Sequence, residues 1–347
     1  LHNVDAFEEA LEKEIILRGK EIQGPLQTLY WGGGTPSFLP IRVFSRIMLH
    51  LRRAIDLTKL KEFTLECNPE DVSADKLRLW QKAGVNRISL GVQSFQDIFL
   101  KAMRRNHNAA AAHNAIGLMQ DAGFKNFSID LMFGYEHQTV KDLAADLQTA
   151  LQTNAPHISI YQLTIEKGTP LHYRVQKERY ALVDEETQAT FYLQIADTLT
   201  RNGYVHYEIS NFAKPGAQSM HNSNYWHRKP YLGLGPAAHS FNGNVRSANT
   251  PHLKTYIEKL RQGLLPMQQE TLLPSELHNE SVMLGLRTAE GINLSEFAAL
   301  HGAEAADRIL EISQAWPKEV LRSLSPSIAL NTNGFAVADD LSSRLFI

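Results

Sequence analysis

Between residues 26 and 164 the chain sets five β-rich runs between stretches whose apolar residues recur at helical spacing. The runs are 26–31, 62–67, 87–92, 126–133 and 157–164. Between them, Val43, Phe44, Ile47, Met48 and Leu51 share one helix face, Ser73 and Gly84 bracket a second helix, and a short one starts near Gln96. A further helix runs from Asn108 to Gly123, and Thr139 and Asp142 start one that turns Val140, Leu143, Leu147 and Leu151 inward. A first helix, 4–17, precedes the series. Such alternation requires parallel strands with right-handed crossovers, hence an α/β fold, either doubly wound or a barrel. Glu66, Gln93, Asp130 and Gln162 each lie near the C-terminal end of a different run, and glycines 32–34 hold that place on the first. A (β/α) barrel builds its site from such a ring.

The stretch Leu29-Tyr30-Trp31-Gly32-Gly33-Gly34-Thr35-Pro36 reads as a strand ending in three glycines before an amphipathic helix. Bare N–H groups there suit an anion or carboxylate, with help from the helix dipole. A plain strand-to-helix turn is the bland reading. Charge gives no further direction, since 35 basic against 37 acidic residues leave a net of -2 and no field for nucleic acid. No apolar run spans a membrane and the acidic N-terminal region is wrong for a signal peptide, so the expected location is the cytoplasm, with peripheral membrane association left open. The single cysteine, Cys67, excludes an internal disulfide and any multi-cysteine metal or iron–sulfur site made by these residues alone.

Near residue 170 the β/α rhythm stops. A helix over 185–201 and a strand over 204–212 follow, then a loop, Met220-His221-Asn222-Ser223-Asn224-Tyr225-Trp226-His227, and a glycine-punctuated apolar run, 231–241. Helices are expected at 251–262, 275–286 and 294–301, with a last pair of β-runs at 328–330 and 335–337, as in a small helical or winged-helix domain. The expected division is a barrel domain over 1–170, an extension over 171–250 and a helical domain over 251–347.

The order Gly-Gly-Gly-Thr-Pro, Glu66-Cys67-Asn68-Pro69, Gly91-Val92-Gln93-Ser94-Phe95, Arg104-Arg105-Asn106-His107 and Ser128-Ile129-Asp130-Leu131 resembles the radical S-adenosylmethionine (SAM) proteins of the oxygen-independent coproporphyrinogen III oxidase family. Within it, Tyr207-Glu208-Ile209-Ser210-Asn211-Phe212-Ala213 and His221-Asn222-x-x-Tyr225-Trp226 resemble the HemW branch of haem chaperones. The resemblance implies a (β/α)6-type radical SAM barrel, here incomplete, and SAM contacts from Gly33, Gly34, Thr35, Glu66, Gln93, Arg105 and Asp130. It also implies haem, passed to an acceptor haemoprotein, with His221 as the iron ligand beside Asn222, Tyr225 and Trp226; His227, His239 and Tyr207 are reserves. The bland reading of His221 is a structural loop histidine.

The family's Cys-x3-Cys-x2-Cys loop, which holds a [4Fe-4S] cluster, is not in this sequence. The expectation is that this loop and a first barrel strand lie upstream of Leu1; a cluster-less paralogue is the alternative. Two other functions remain at this stage, the porphyrinogen oxidase of the sister branch and a barrel isomerase or aldolase with Glu66 and Asp130 as acid and base.

Overall fold

The computed structural model describes residues 4–177 and 179–347. Its main sheet holds β1 (Thr28–Trp31), β2 (Glu62–Cys67), β3 (Arg87–Gln93), β4 (Phe127–Phe133) and β5 (His157–Gln162), parallel and in chain order. Two short strands extend it, β7 (Asn211–Ala213) antiparallel to β5, and β6 (Val205–Glu208) beyond β7. The result is a curled half-barrel of seven strands. The expected single strand over 204–212 is therefore a hairpin, because the Glu208 carboxylate accepts the Ser210 N–H and turns the chain.

The crossovers are helical. α1 (Val4–Arg18) precedes β1; α2 (Ile41–Ala54), α3 (Ala74–Ala83), α4 (Asp97–Ala102), α5 (Ala109–Asp121) and α6 (Val140–Gln152) join the parallel strands. The Ser73, Asn108 and Thr139 side chains cap their helices as the sequence suggests. After β5 come α7 (Pro170–Gln176), α8 (Glu185–Arg201) and, past the hairpin, α9 (Met220–Trp226). The sequence reading made 220–227 a loop; Ser219 instead accepts the Asn222 N–H and starts a helix of two turns.

Strand alternation sorts the two faces. Phe63 and Leu65, Ile88 and Leu90, Ile129 and Leu131, Ile158 and Ile160 pack under the helices in one apolar core. The opposite positions are polar: Glu62, Thr64 and Glu66; Arg87 and Ser89; Ser128 and Asp130; His157 and Ser159. These line the half-barrel lumen, which α9 enters.

Beyond residue 230, β8 (His239–Phe241), β9 (Val245–Asn249) and β10 (Met267–Thr271) form a three-stranded antiparallel sheet that α10 (Leu253–Arg261) interrupts. α11 (Pro274–Leu286), α12 (Leu294–His301), α13 (Ala303–Gln314), α14 (Thr332–Ala336) and α15 (Ala338–Ser343) enclose a second core around Val282, Phe297, Ile309 and Ile328. A small sheet crosses it, β11 (Ile292–Asn293), β13 (Ser327–Leu330) and β12 (Leu321–Ser323). The expected β-run at 335–337 is helical, because Asn331 caps Gly334 and turns the chain into α14; the partner of β13 is β12.

Buried charges fasten α1 to its surroundings. Glu8 meets His50 at 2.7 Å and Arg46 at 2.9 Å, and His50 meets Glu12 at 2.9 Å, tying α1 to α2. Glu14, fully buried, accepts from the Gly235 N–H (2.7 Å), Asn249 (2.6 Å) and the Tyr256 hydroxyl (2.6 Å). Replacing Glu14 with alanine strands three donors and Arg18 in the interior, and should lower unfolding free energy by about 3–5 kcal/mol in urea denaturation. A loss below about 1 kcal/mol would contradict this role.

Candidate functional site

Two regions meet at the lumen. At the C-terminal end of the strands, Gly33 and Gly34 take φ values of 70° and 69°, with nothing within 4 Å of an added Cβ, so the loop after β1 is open above them. Gly32 has the opposite constraint, since a Cβ there would lie 2.6 Å from the Glu66 carboxylate. Glu66 accepts from the Tyr30 hydroxyl at 2.6 Å and the Gly33 N–H at 3.0 Å. Burial raises its pKa, the two hydrogen bonds lower it and Asp130 raises it again. Asp130 accepts from Ser89 (2.7 Å) and Ser128 (2.8 Å).

Arg105 reaches toward the same end, donating to Asn68 at 2.7 Å and to the Gly91 carbonyl at 3.3 Å, with its buried Nε unpartnered. Gln93 sits at φ 69° on a β-bulge, its carbonyl accepting from Tyr135. Thr35 is exposed beside the glycines. Gln162 lies at the exposed end of β5 and donates to Gln188, away from this group.

The second region is built on α9. The Glu62 carboxylate accepts from Ser219 (3.3 Å), the Met220 N–H (2.8 Å) and the His221 N–H (2.9 Å), which seats the helix N-terminus on β2. His221 consequently enters the lumen, where its ring stacks on Tyr30 at 4.8 Å. Both nitrogens are engaged, Nδ1 with Thr28 (3.0 Å) and Nε2 with Tyr225 (2.9 Å). Burial pushes its pKa down to about 4, so the ring is neutral.

Asn222, Tyr225 and Trp226 face outward from His221, onto a cleft of ≈ 530 Å³. Its other walls are Tyr161 of β5, the turn Glu208–Asn211, and Leu284 and Arg287. Thus residues 208–211 of one motif and Asn222, Tyr225 and Trp226 of the other meet on one surface. The reserves do not join it directly: His227 is held by Glu290 at 2.7 Å, His239 is exposed at the start of β8, and Tyr207 bonds His157 inside the lumen at 2.8 Å.

Three groups that line the cleft escaped sequence reading. Arg287 comes from the third segment, half-buried, with Nη2 on Asp339 (2.6 Å) and a sealed, unpartnered Nε; nothing in its local spacing marks it. Tyr161 lay one residue before the strand-end Gln162. Glu208 stood inside a noted motif, and only the fold shows that its carboxyl is fully buried at the cleft wall. Burial pushes it up to about 7, against the pull of Ser210, Asn211 and Arg287.

A family model, the Radical SAM superfamily, matches residues 5–150. The haem chaperone HemW of Bacillus subtilis (strain 168) is 37% identical over 86% of this chain and 80% of the relative. That of Escherichia coli (strain K12) is 35% identical over 82% and 74%. Among solved structures, the coproporphyrinogen III oxidase of Escherichia coli, titled a radical SAM enzyme, superposes with a TM-score of 0.83 at 20% identity, covering 99% of this chain and 83% of that one.

Glu208 makes stability depend on pH. A carboxyl raised from 4.5 to about 7 on folding makes the native state bind more protons, so stability falls as pH rises through that window. The loss by pH 8 is about 3 kcal/mol. Glu208→Gln should unfold at a higher temperature than the wild type at pH 8 and at a similar one at pH 5; parallel curves at both would count against a charged Glu208.

Proposed function

Because the chain belongs to the HemW family within the radical SAM superfamily, we propose that it is a cytoplasmic haem chaperone that binds haem at the α9 cleft and hands it to an acceptor haemoprotein. The observation that carries the placement is the meeting of two separate sequence motifs on one cleft of ≈ 530 Å³ with Arg287 at its edge. Tyr161, Tyr225 and Trp226 offer aromatic faces to a flat macrocycle, and Arg287, with Nη2 on Asp339 and Nε sealed, offers its positive charge and Nη1 to a carboxylate. His221, neutral through burial, has the protonation state that binds iron. His221 is not in the cleft lining and lies behind Tyr225 on the lumen side of α9, so to reach iron its Nε2 would have to give up the Tyr225 hydroxyl, with the Tyr225 ring moving aside. Likeness to the oxidase, at 20% identity, carries the fold and not its reaction.

The half-barrel residues fit SAM. Gly33, Gly34 and Thr35 leave an open cradle over Glu66, Gln93 and Asp130 lie in the lumen, and the orphaned Nε of Arg105 suits a carboxylate. Bound there, SAM would supply a sulfonium centre and an amino-acid tail for these groups to hold. A [4Fe-4S] cluster does not fit these 347 residues, because the single cysteine is buried with its thiol against the Leu65 carbonyl. No membrane-crossing helix occurs among the described residues.

Haem titration followed by absorbance tests the placement. His221→Ala should abolish the Soret shift, whereas Tyr225→Phe, which frees Nε2, should keep it. Arg287→Gln should weaken affinity about tenfold or more, the worth of a charge-assisted hydrogen bond. Haem binding unchanged in all three variants would remove haem from this cleft.

A further inference from the structure

Arg87 opens β3 on the lumen side and is only 2% exposed, yet no carboxylate among the described residues lies within 4.0 Å of its guanidinium. Its Nε is sealed and unpartnered, and neither Nη is hydrogen-bonded to any described residue. Other deeply buried charges are matched. Glu14 has three donors, Arg18 pairs with Glu14 and Glu21, and Asp146 holds Ser94 (2.7 Å) and the Phe95 N–H (2.9 Å).

Among the described residues, none around Arg87 supplies the missing anion. Glu62 is committed to the N-terminus of α9. His157, fully buried, uses Nδ1 on Ser128 (2.9 Å) and Nε2 on Tyr207 (2.8 Å), and Thr64 is the Cα partner of Arg87 across the strand pair. The guanidinium thus faces neutral hydroxyls and imidazoles, and its charge helps hold His157 and His221 unprotonated. A buried, unmatched cation is among the costliest features a fold can keep.

We propose that Arg87 anchors an anion site inside the half-barrel lumen, one that takes a small free carboxylate such as formate or acetate. The planar fork of five donors matches a carboxylate in two parallel hydrogen bonds, and the hydroxyls of Thr64 and Tyr207 lie on the same lumen face. This site is separate from the α9 cleft, whose lining does not include Arg87.

Thermal unfolding of the whole chain tests it, with sodium acetate replacing sodium chloride at constant ionic strength. The wild-type midpoint should rise saturably, by about 2 °C at tenfold excess over the dissociation constant. Arg87→Met should not respond to acetate, and in chloride should be at least as stable as the wild type, since it deletes an unmatched buried charge. Saturation-transfer NMR of acetate on the wild type reads the same site without any variant. Absence of transfer, an equal acetate response in Arg87→Met, or a marked loss of its stability in chloride would each overturn the proposal. Equal stabilisation by chloride would overturn the carboxylate class.

Discussion

One carboxylate decides where the motif helix goes. Glu62 lies at the start of β2, buried, and collects the hydroxyl of Ser219 with the first free N–H groups of α9. Those groups have no partner inside the helix, so an acceptor at that point fixes both its position and its direction. Everything downstream follows from this attachment. His221 turns into the lumen and stacks on Tyr30, while Tyr225 and Trp226, a turn further on, turn out to the cleft. A residue of the first barrel segment thereby sets the geometry of a motif some 159 positions later.

The half-barrel was legible because its code is local. Period-two polarity in β2 to β4 and capped amphipathic helices between them require no knowledge of distant residues, and Glu66 lies at the C-terminal end of β2 as its spacing suggests, whereas Asp130 sits in the middle of β4, on its lumen face. The extension was less legible for the same reason. Residues 204–212 have the composition of a strand, and the turn that breaks them depends on a carboxylate folding back on Ser210. Residues 335–337 are apolar enough for a strand, but Asn331 and the tight contact of Gly334 with the Val320 carbonyl settle the segment as helix. Arg287 could not be read at all, because its role exists only after α11 has docked beside the hairpin of β6 and β7.

Charge inside this protein is placed with two different logics. Glu14 and Glu62 act as clamps, each surrounded by donors from chain segments far apart in sequence, and their burial is matched bond for bond. Glu208 and Arg87 are left electrically exposed by the fold, one close to neutrality at ordinary pH and one lacking a counter-charge. The first kind holds the architecture together. The second kind gathers in the lumen and at the cleft wall, where structural needs alone do not account for them.

The hairpin turn beside the cleft is also sewn to the third segment by main-chain bonds. Ile209 N–H donates to the Arg287 carbonyl at 2.9 Å, Ala289 N–H to the Tyr207 carbonyl at 2.9 Å, and Glu208 and Thr288 form an antiparallel bridge. That wall is in effect a patch of sheet, and it cannot swing without breaking several backbone bonds together. The facing wall is a seven-residue helix whose N-terminus is held through backbone N–H groups and whose far end is held through side chains. A carrier must release what it holds, and here compliance is distributed unevenly: one jaw is held by main-chain bonds, and the other, past its N-terminus, by side chains alone, His227 on Glu290 and Arg228 on Ser281.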